Sequence, residues 1–165
     1  MIGLPGCGKS TWAEQYRRTH KNVVILSSDE IRKELTGEYQ CFEKEEEVWK
    51  TLDERIVQYS KQEEPITVIV DATNLKNKYR IHYYEVAKDY DVKWLVEIKK
   101  NWRKILEGNK RRSKDKWVPL QAMKMLRDEY EEPSKKVLNL YDEYRRINFW
   151  FDSSFIPEKW YGIGK

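Results

Sequence analysis

Residues 3 to 11 read Gly-Leu-Pro-Gly-Cys-Gly-Lys-Ser-Thr, a glycine-rich loop closed by a lysine and two hydroxyl residues. Gly3, Gly6 and Gly8 let successive backbone N–H groups turn inward around a phosphate. Lys9 can reach β- and γ-phosphates, and the Ser10 hydroxyl suits Mg²⁺. This is a complete Walker A pattern. The segment from Thr11 to Tyr16 then opens a helical pattern, whose first N–H groups and dipole add to anion binding.

Three further clusters could do chemistry beside a bound nucleotide. Asp29 and Arg32 stand one helical turn apart in Ser27-Ser28-Asp29-Glu30-Ile31-Arg32. Asp29 could take the proton of an acceptor hydroxyl, and Arg32 could hold an acceptor phosphate by a forked pair of hydrogen bonds. The same residues also suit a plain helix start, with Ser28 or Asp29 as N-cap and Arg32 solvated. Asp71 opens Asp71-Ala72-Thr73-Asn74-Leu75 and could face the cation held by Ser10, orient the acceptor, or satisfy a local turn. Between Lys99 and Lys116 there are nine basic residues against Glu107 and Asp115. An arginine from such a segment, folded over a triphosphate, would neutralise charge on the transferred phosphoryl group.

Short apolar runs precede these clusters and would place them. Val23 to Ser27, Ile66 to Val70 and, less purely, Val92 to Ile98 suit strands of a parallel sheet buried on both faces. Between them, roughly Glu43 to Lys61 and Asn77 to Lys88 read as helices, with Val48, Leu52, Ile56 and Tyr59 on one stripe. Strand and helix alternate, which predicts an α/β fold with helices crossing over a parallel sheet. Ligands of such folds bind at the carboxyl ends of the strands, where each cluster falls. Only Met1 and Ile2 precede the loop, so the first strand is either very short or lacks residues that would complete it.

With 165 residues the chain fits one domain, residues 1–165, with an aromatic-rich extension over 147–165. Its net charge of +4 hides a dipolar pattern, because Glu43 to Glu47 and Asp128 to Glu132 are acidic. A polyanionic partner is expected on one side only. Cys7 and Cys41 give no disulfide framework, and no apolar run approaches a membrane span, so a reducing, cytoplasmic setting is expected. In the extension, Phe149, Trp150, Phe151, Trp160 and Tyr161 either stack nucleobases or cover a domain edge.

The order of the glycine loop, Asp29-x-x-Arg32, Asp71-Ala72-Thr73-Asn74-Leu75, and Asn109-Lys110-Arg111-Arg112 followed by Val118-Pro119 resembles the kinase domain of phage-type polynucleotide 5′-hydroxyl kinases and their bacterial P-loop kinase relatives. The likeness runs from Gly3 to about Pro133. It implies a P-loop NTPase-type sheet flanked by helices with a helical basic lid. It also implies a cradle for ATP·Mg²⁺ formed by Gly6, Cys7, Gly8, Lys9, Ser10 and Thr11, with Ser10 and Asp71 at the metal. Asp29 is then the general base, Arg32 the acceptor-phosphate ligand, and Arg112 the lid arginine on the donor, with Arg111 as its neighbouring alternative. One departure is visible: Gly108 stands where the first lid arginine would be, so that contact is absent or supplied by Lys110 or Arg111.

The implied activity is transfer of the γ-phosphate of ATP to the 5′-hydroxyl end of RNA or DNA, in nucleic-acid repair, with room for associated phosphatase or ligase modules. Two other readings use the same donor site. One is a kinase of a small alcohol such as a nucleoside, sugar or antibiotic, and the other is a nucleotide-binding, RNA-associated module without turnover.

Overall fold

The apolar run after the first helix does form a strand, and its register with the next one sets the geometry of the cleft. A computed structural model describes residues 1–148 of the chain. Its elements in order are α1 (Lys9–Thr19), β1 (Val23–Ser27), α2 (Ser28–Thr36), α3 (Glu45–Tyr59), β2 (Thr67–Asp71), α4 (Asn77–Val86), β3 (Trp94–Lys99), α5 (Trp102–Lys110), a 3-10 turn (Lys114–Lys116), α6 (Leu120–Asp128), α7 (Lys135–Leu140) and β4 (Glu143–Asn148). The aromatic residues from Phe149 onward lie outside the described residues. Ile147 and Asn148, expected to open the extension, instead end β4.

β1 pairs with β2, and β3 with β4, both in parallel. What joins the two pairs is the short stretch in front of the glycine loop. Ile2 bridges Glu97 in parallel, donating to Val96 O at 2.8 Å and accepting from Ile98 N at 2.9 Å. On its other side the Met1 nitrogen donates to Val70 O at 3.0 Å and Gly3 N to Thr73 O at 3.1 Å. The strand order is therefore β1, β2, the Met1–Gly3 stub, β3, β4. Every backbone group of Met1, Ile2 and Gly3 is taken by a neighbour, and Ile2 is fully buried.

Helices cover the sheet with the faces their sequences provide. α3 buries Val48, Leu52 and Ile56, spaced four apart, in a cluster with Leu26 and Ile31. α1 buries Trp12, Ala13 and Tyr16 against Ile69, Val96 and Ile98. Truncating a fully buried leucine such as Leu52 to alanine costs about 2–5 kcal/mol in this kind of setting. β1 was expected to be buried on both faces, yet only Leu26 of its residues is buried, because among the described residues it lies at the sheet's edge.

β4 was not expected as a strand. It reads Glu-Tyr-Arg-Arg-Ile-Asn; Ile147 packs on the main core and Tyr144 on a smaller apolar cluster, while Tyr144 and Arg146 also converge on a carboxylate. That carboxylate is Glu97 of β3, 1% exposed, which accepts from Tyr130 Oη at 2.5 Å, from Arg146 Nε at 2.8 Å and from Tyr144 Oη. Burial pushes the Glu97 carboxyl upward, but these donors outweigh it and hold the group below its ordinary range. Among the described residues no helix is long and apolar enough to cross a membrane.

Candidate active site

The glycine loop leads into α1 with Gly8 as N-cap in a left-handed conformation (φ 106°), and no side chain caps the helix. The first N–H groups of α1 are thus left for a ligand, as anion binding requires. Lys9, 8% exposed, donates through Nζ to Gly3 O at 2.8 Å and Leu4 O at 3.2 Å, so its ammonium is held inside the loop. Ser10 Oγ donates to Asp71 Oδ2 at 2.6 Å. Asp71 ends β2 and pairs in register with Ser27, which ends β1. A hydroxyl in the first turn of α1 and a carboxylate at the end of β2, so close together, are oxygen donors of the kind a hard divalent cation takes, and the residues present fit Mg²⁺. Of the other loop residues, Thr11 is exposed, whereas Cys7 is fully buried in the core and can offer a ligand only backbone.

Asp29 lies in the first turn of α2, two residues beyond Ser27. The helix cap is Ser27, whose Oγ accepts from Glu30 N, and neither Ser28 nor Asp29 serves in that role. Asp29 is instead held from two sides: Arg32 Nη1 donates to Oδ1 at 2.9 Å and Arg112 Nη2 to Oδ2 at 2.8 Å. Arg32 is not an open ligand. It is 5% exposed and also donates through Nε to Glu45 Oε1 at 2.5 Å, while its guanidinium carbon sits 4.9 Å from the Phe42 ring centroid. Burial works against its charge, but Glu45 and Asp29 together hold its pKa above the ordinary arginine value.

The lid is built on α5 and α6. Asn109, 3% exposed, donates to Val118 O at 2.7 Å and accepts from Val118 N at 3.2 Å, so one amide pins both ends of the basic loop 110–117. From that loop Arg112 reaches Asp29, and Lys116 Nζ reaches Glu30 Oε1 at 2.6 Å and lies 4.1 Å from the Tyr39 ring centroid. Arg111, the alternative to Arg112, is exposed at the end of α5. The basic stretch is not one continuous face. Lys99 turns to Glu132 and Arg103 to Glu107, away from the contacts that Arg112 and Lys116 make.

Gly108 has a physical reason. A Cβ built on it would stand 2.1 Å from Gly6 O, and one built on Gly6 would stand 2.5 Å from Asn109 N. α5 lies directly on the phosphate loop, and no arginine fits at position 108 while it does.

Three residues near the site carry no role of their own in the sequence analysis. Lys100, just after β3, brings Nζ to 3.2 Å from where a Gly8 Cβ would be. Burial lowers its pKa, the Cys7 thiol opposes that, and the charges of Lys104 and Arg111 add to the lowering. It is a second lysine at the loop. Arg80, 1% exposed on α4, donates to Asn74 O, Leu75 O and Asn77 Oδ1 at 3.0, 2.7 and 3.0 Å, and so fixes the loop after Asp71. Asn109 is the third. Only the N-K-R-R context marked it.

A parallel sheet whose central stub feeds a glycine loop and an uncapped helix, with a carboxylate against the loop serine, defines a P-loop nucleotide-binding domain of the kinase-like type. The chain belongs to the AAA domain family, which matches residues 1–133. Among curated proteins it is similar to an L-seryl-tRNA(Sec) kinase of Methanococcus maripaludis, 26% identical over 148 residues, covering 82% of this chain and 53% of that protein. It is also similar to a 2′,3′-cyclic-nucleotide 3′-phosphodiesterase of Rattus norvegicus, 31% identical over 134 residues, covering 80% of this chain and 30% of that protein. The chain thus spans about half of the first relative and under a third of the second. Its fold is shared with Chaetomium thermophilum Kti12, solved in complex with ADP-AlF3, at a TM-score of 0.61 and 18% identity over 92% of this chain and 88% of that one.

Proposed function

We propose that this domain is an ATP-dependent kinase of a hydroxyl at a nucleic-acid end, the 5′-hydroxyl of RNA or DNA being the foremost acceptor. The observation that carries the reading is the convergence at the paired ends of β1 and β2. Ser27 stands beside Asp71, Asp71 takes the hydroxyl of Ser10, and Asp29 follows two residues on, gripped by an arginine of the lid. A donor cradle alone would serve any P-loop protein. A carboxylate at the adjacent strand end, contacting the lid, is what acceptor activation requires.

In this reading the loop N–H groups and Lys9 would hold the phosphates of ATP, and Ser10 and Asp71 would hold Mg²⁺, which would supply neutralisation of phosphate charge. Asp29 accepts the proton of the acceptor hydroxyl as its oxygen bonds to the γ-phosphorus, and ADP leaves. Arg112 lies close enough to the carboxylate to move between it and the transferred phosphoryl group. Arg32 positions Asp29 against Glu45 rather than reaching far into solvent for a phosphate. The likeness to a kinase of a seryl-tRNA favours a second acceptor of the same broad kind, a hydroxyl carried by RNA elsewhere than at its 5′ end.

Transfer of labelled γ-phosphate to 5′-OH oligonucleotides, an aminoacylated RNA and small alcohols tests the proposal. Oligonucleotides should be preferred, and Lys9→Ala should abolish transfer while the domain stays folded. Preference for small alcohols at all salt concentrations, or turnover that survives Lys9→Ala, would overturn it.

A further inference from the structure

Beyond the carboxylate and its arginines, the segment between α2 and α3 carries two aromatic side chains that the activity just proposed does not use. Tyr39 is engaged. Its hydroxyl donates to Glu30, and Lys33 and Lys116 lie 4.5 and 4.1 Å from its ring centroid. Phe42 differs. It stands against the guanidinium of Arg32 at 4.9 Å, yet is 57% exposed. The ring keeps more than half of its surface open while resting on that guanidinium.

The position of the ring is what gives it meaning. The guanidinium that backs Phe42 is the same one that donates to Asp29 Oδ1, so the ring lies one guanidinium's breadth from the candidate base. A nucleoside whose hydroxyl meets Asp29 has its base within reach of such a ring. Stacking on an aromatic face is tolerant of base identity, and a cation behind the ring completes a stack of alternating charge and π surface. Of the residues that follow, Glu43, Lys44, Glu46 and Glu47 are exposed, Lys44 pairing with Glu47 at 3.7 Å.

We infer that Phe42 is the stacking platform for the nucleobase of the acceptor's terminal nucleotide. The inference rests on the nucleic-acid-end reading above and names the subsite that makes a terminal nucleotide, rather than any alcohol, the acceptor.

The test compares two 5′-OH oligonucleotides, identical except that one lacks the base of its 5′-terminal nucleotide. For the wild-type protein, losing the base should raise the acceptor KM about tenfold or more, with kcat little changed. Phe42→Ala should raise KM on the base-bearing acceptor to the same level, leave the abasic acceptor unchanged, and leave the KM for ATP unchanged. Phe42→Trp should restore the preference, and Phe42→Leu, which keeps packing against Arg32, should not. Equal KM for both acceptors in the wild type, or an equal loss on both in Phe42→Ala, would overturn the platform while leaving the kinase reading intact. Transfer to neither oligonucleotide by the wild-type protein would instead remove the nucleic-acid-end reading, and the platform with it.

Discussion

The proposed donor and acceptor halves of this cleft are built by different means. The donor half is mostly backbone: glycines with open N–H groups, a helix start without a cap, and a lysine held within its own loop. The acceptor half is mostly long side chains in ion pairs, with Asp29 shared between Arg32 and Arg112, Arg32 shared with Glu45, and Lys116 on Glu30. Backbone dipoles set by a loop need little reorganisation when a ligand arrives. The lid cations Arg112 and Lys116 keep part of their side chains in solvent and can exchange partners at modest cost, whereas Arg32 is buried and fixed between Asp29 and Glu45. The contrast suits a donor site that is ready beforehand and an acceptor site whose lid contacts change as substrates enter.

The comparison breaks most sharply at the contact between its halves. Asp29→Asn should lower kcat by about 10²-fold or more, as removal of a general base does. Arg112→Ala should lower it too, even at saturating acceptor, because positive charge is lost from the transition state. The two residues touch, so the double variant should cost less than the two single losses multiplied. Strictly multiplicative kinetics would mean that the contact of Arg112 with Asp29 has no part in turnover.

A middle-sized effect is expected where α5 meets the loop. Gly108→Ala places a Cβ against Gly6 O, and the overpacking should cost about 1–3 kcal/mol and weaken ADP binding as α5 lifts the loop. Gly37→Ala is the control, for its φ is 82° and no atom lies within 4 Å of its Cβ. It should lose about 1–2 kcal/mol through backbone strain alone and bind ADP normally. Urea unfolding and calorimetric titration read both quantities. Equal ADP affinities for the two variants would show that the lid helix does not support the donor site.

The smallest effect lies far from either half, where Lys99 and Arg146 hold Glu132. The hydrogen bond from Lys99, opposed by slight burial and helped by Arg146, lowers its carboxyl to about 2 from an ordinary 4.5. A pKa depressed in the folded state gives stability that is complete above the unfolded value and fades as pH falls from about 4.5 toward 2. Glu97, also held below its ordinary range, acts in the same direction. Unfolding midpoints measured between pH 6 and 3 should therefore fall, and fall less steeply in Glu132→Gln. An unchanged slope in that variant would show that the pair is screened away.

Much of this was legible in the chain because it is local. The glycine spacing predicts the loop, and the four-residue stripe of Val48, Leu52 and Ile56 predicts α3 and its buried face. The strands at Val23–Ser27 and Thr67–Asp71 stand where apolar runs place them, the second displaced by one residue. β4 was not legible, since charged residues dominate it and the partner of Tyr144 and Arg146 is a buried glutamate on another strand. Arg80 was missed for the same reason: an arginine on an amphipathic helix looks solvated until the loop it fills is known.

What the sequence determined alone is the chemistry that backbone and neighbouring residues carry together: the phosphate loop, the helix it starts, the alternation of strand and helix, and the carboxylates at strand ends. These follow from steric and hydrogen-bonding rules acting over a few residues. Only the tertiary structure decided which charges meet. It joined Arg112 to Asp29 across 83 positions and Ser10 to Asp71 across 61, and it seated Gly108 on Gly6. The physical reason is that ion pairs and close approaches depend on distance in space, and chain spacing fixes that distance only within an element.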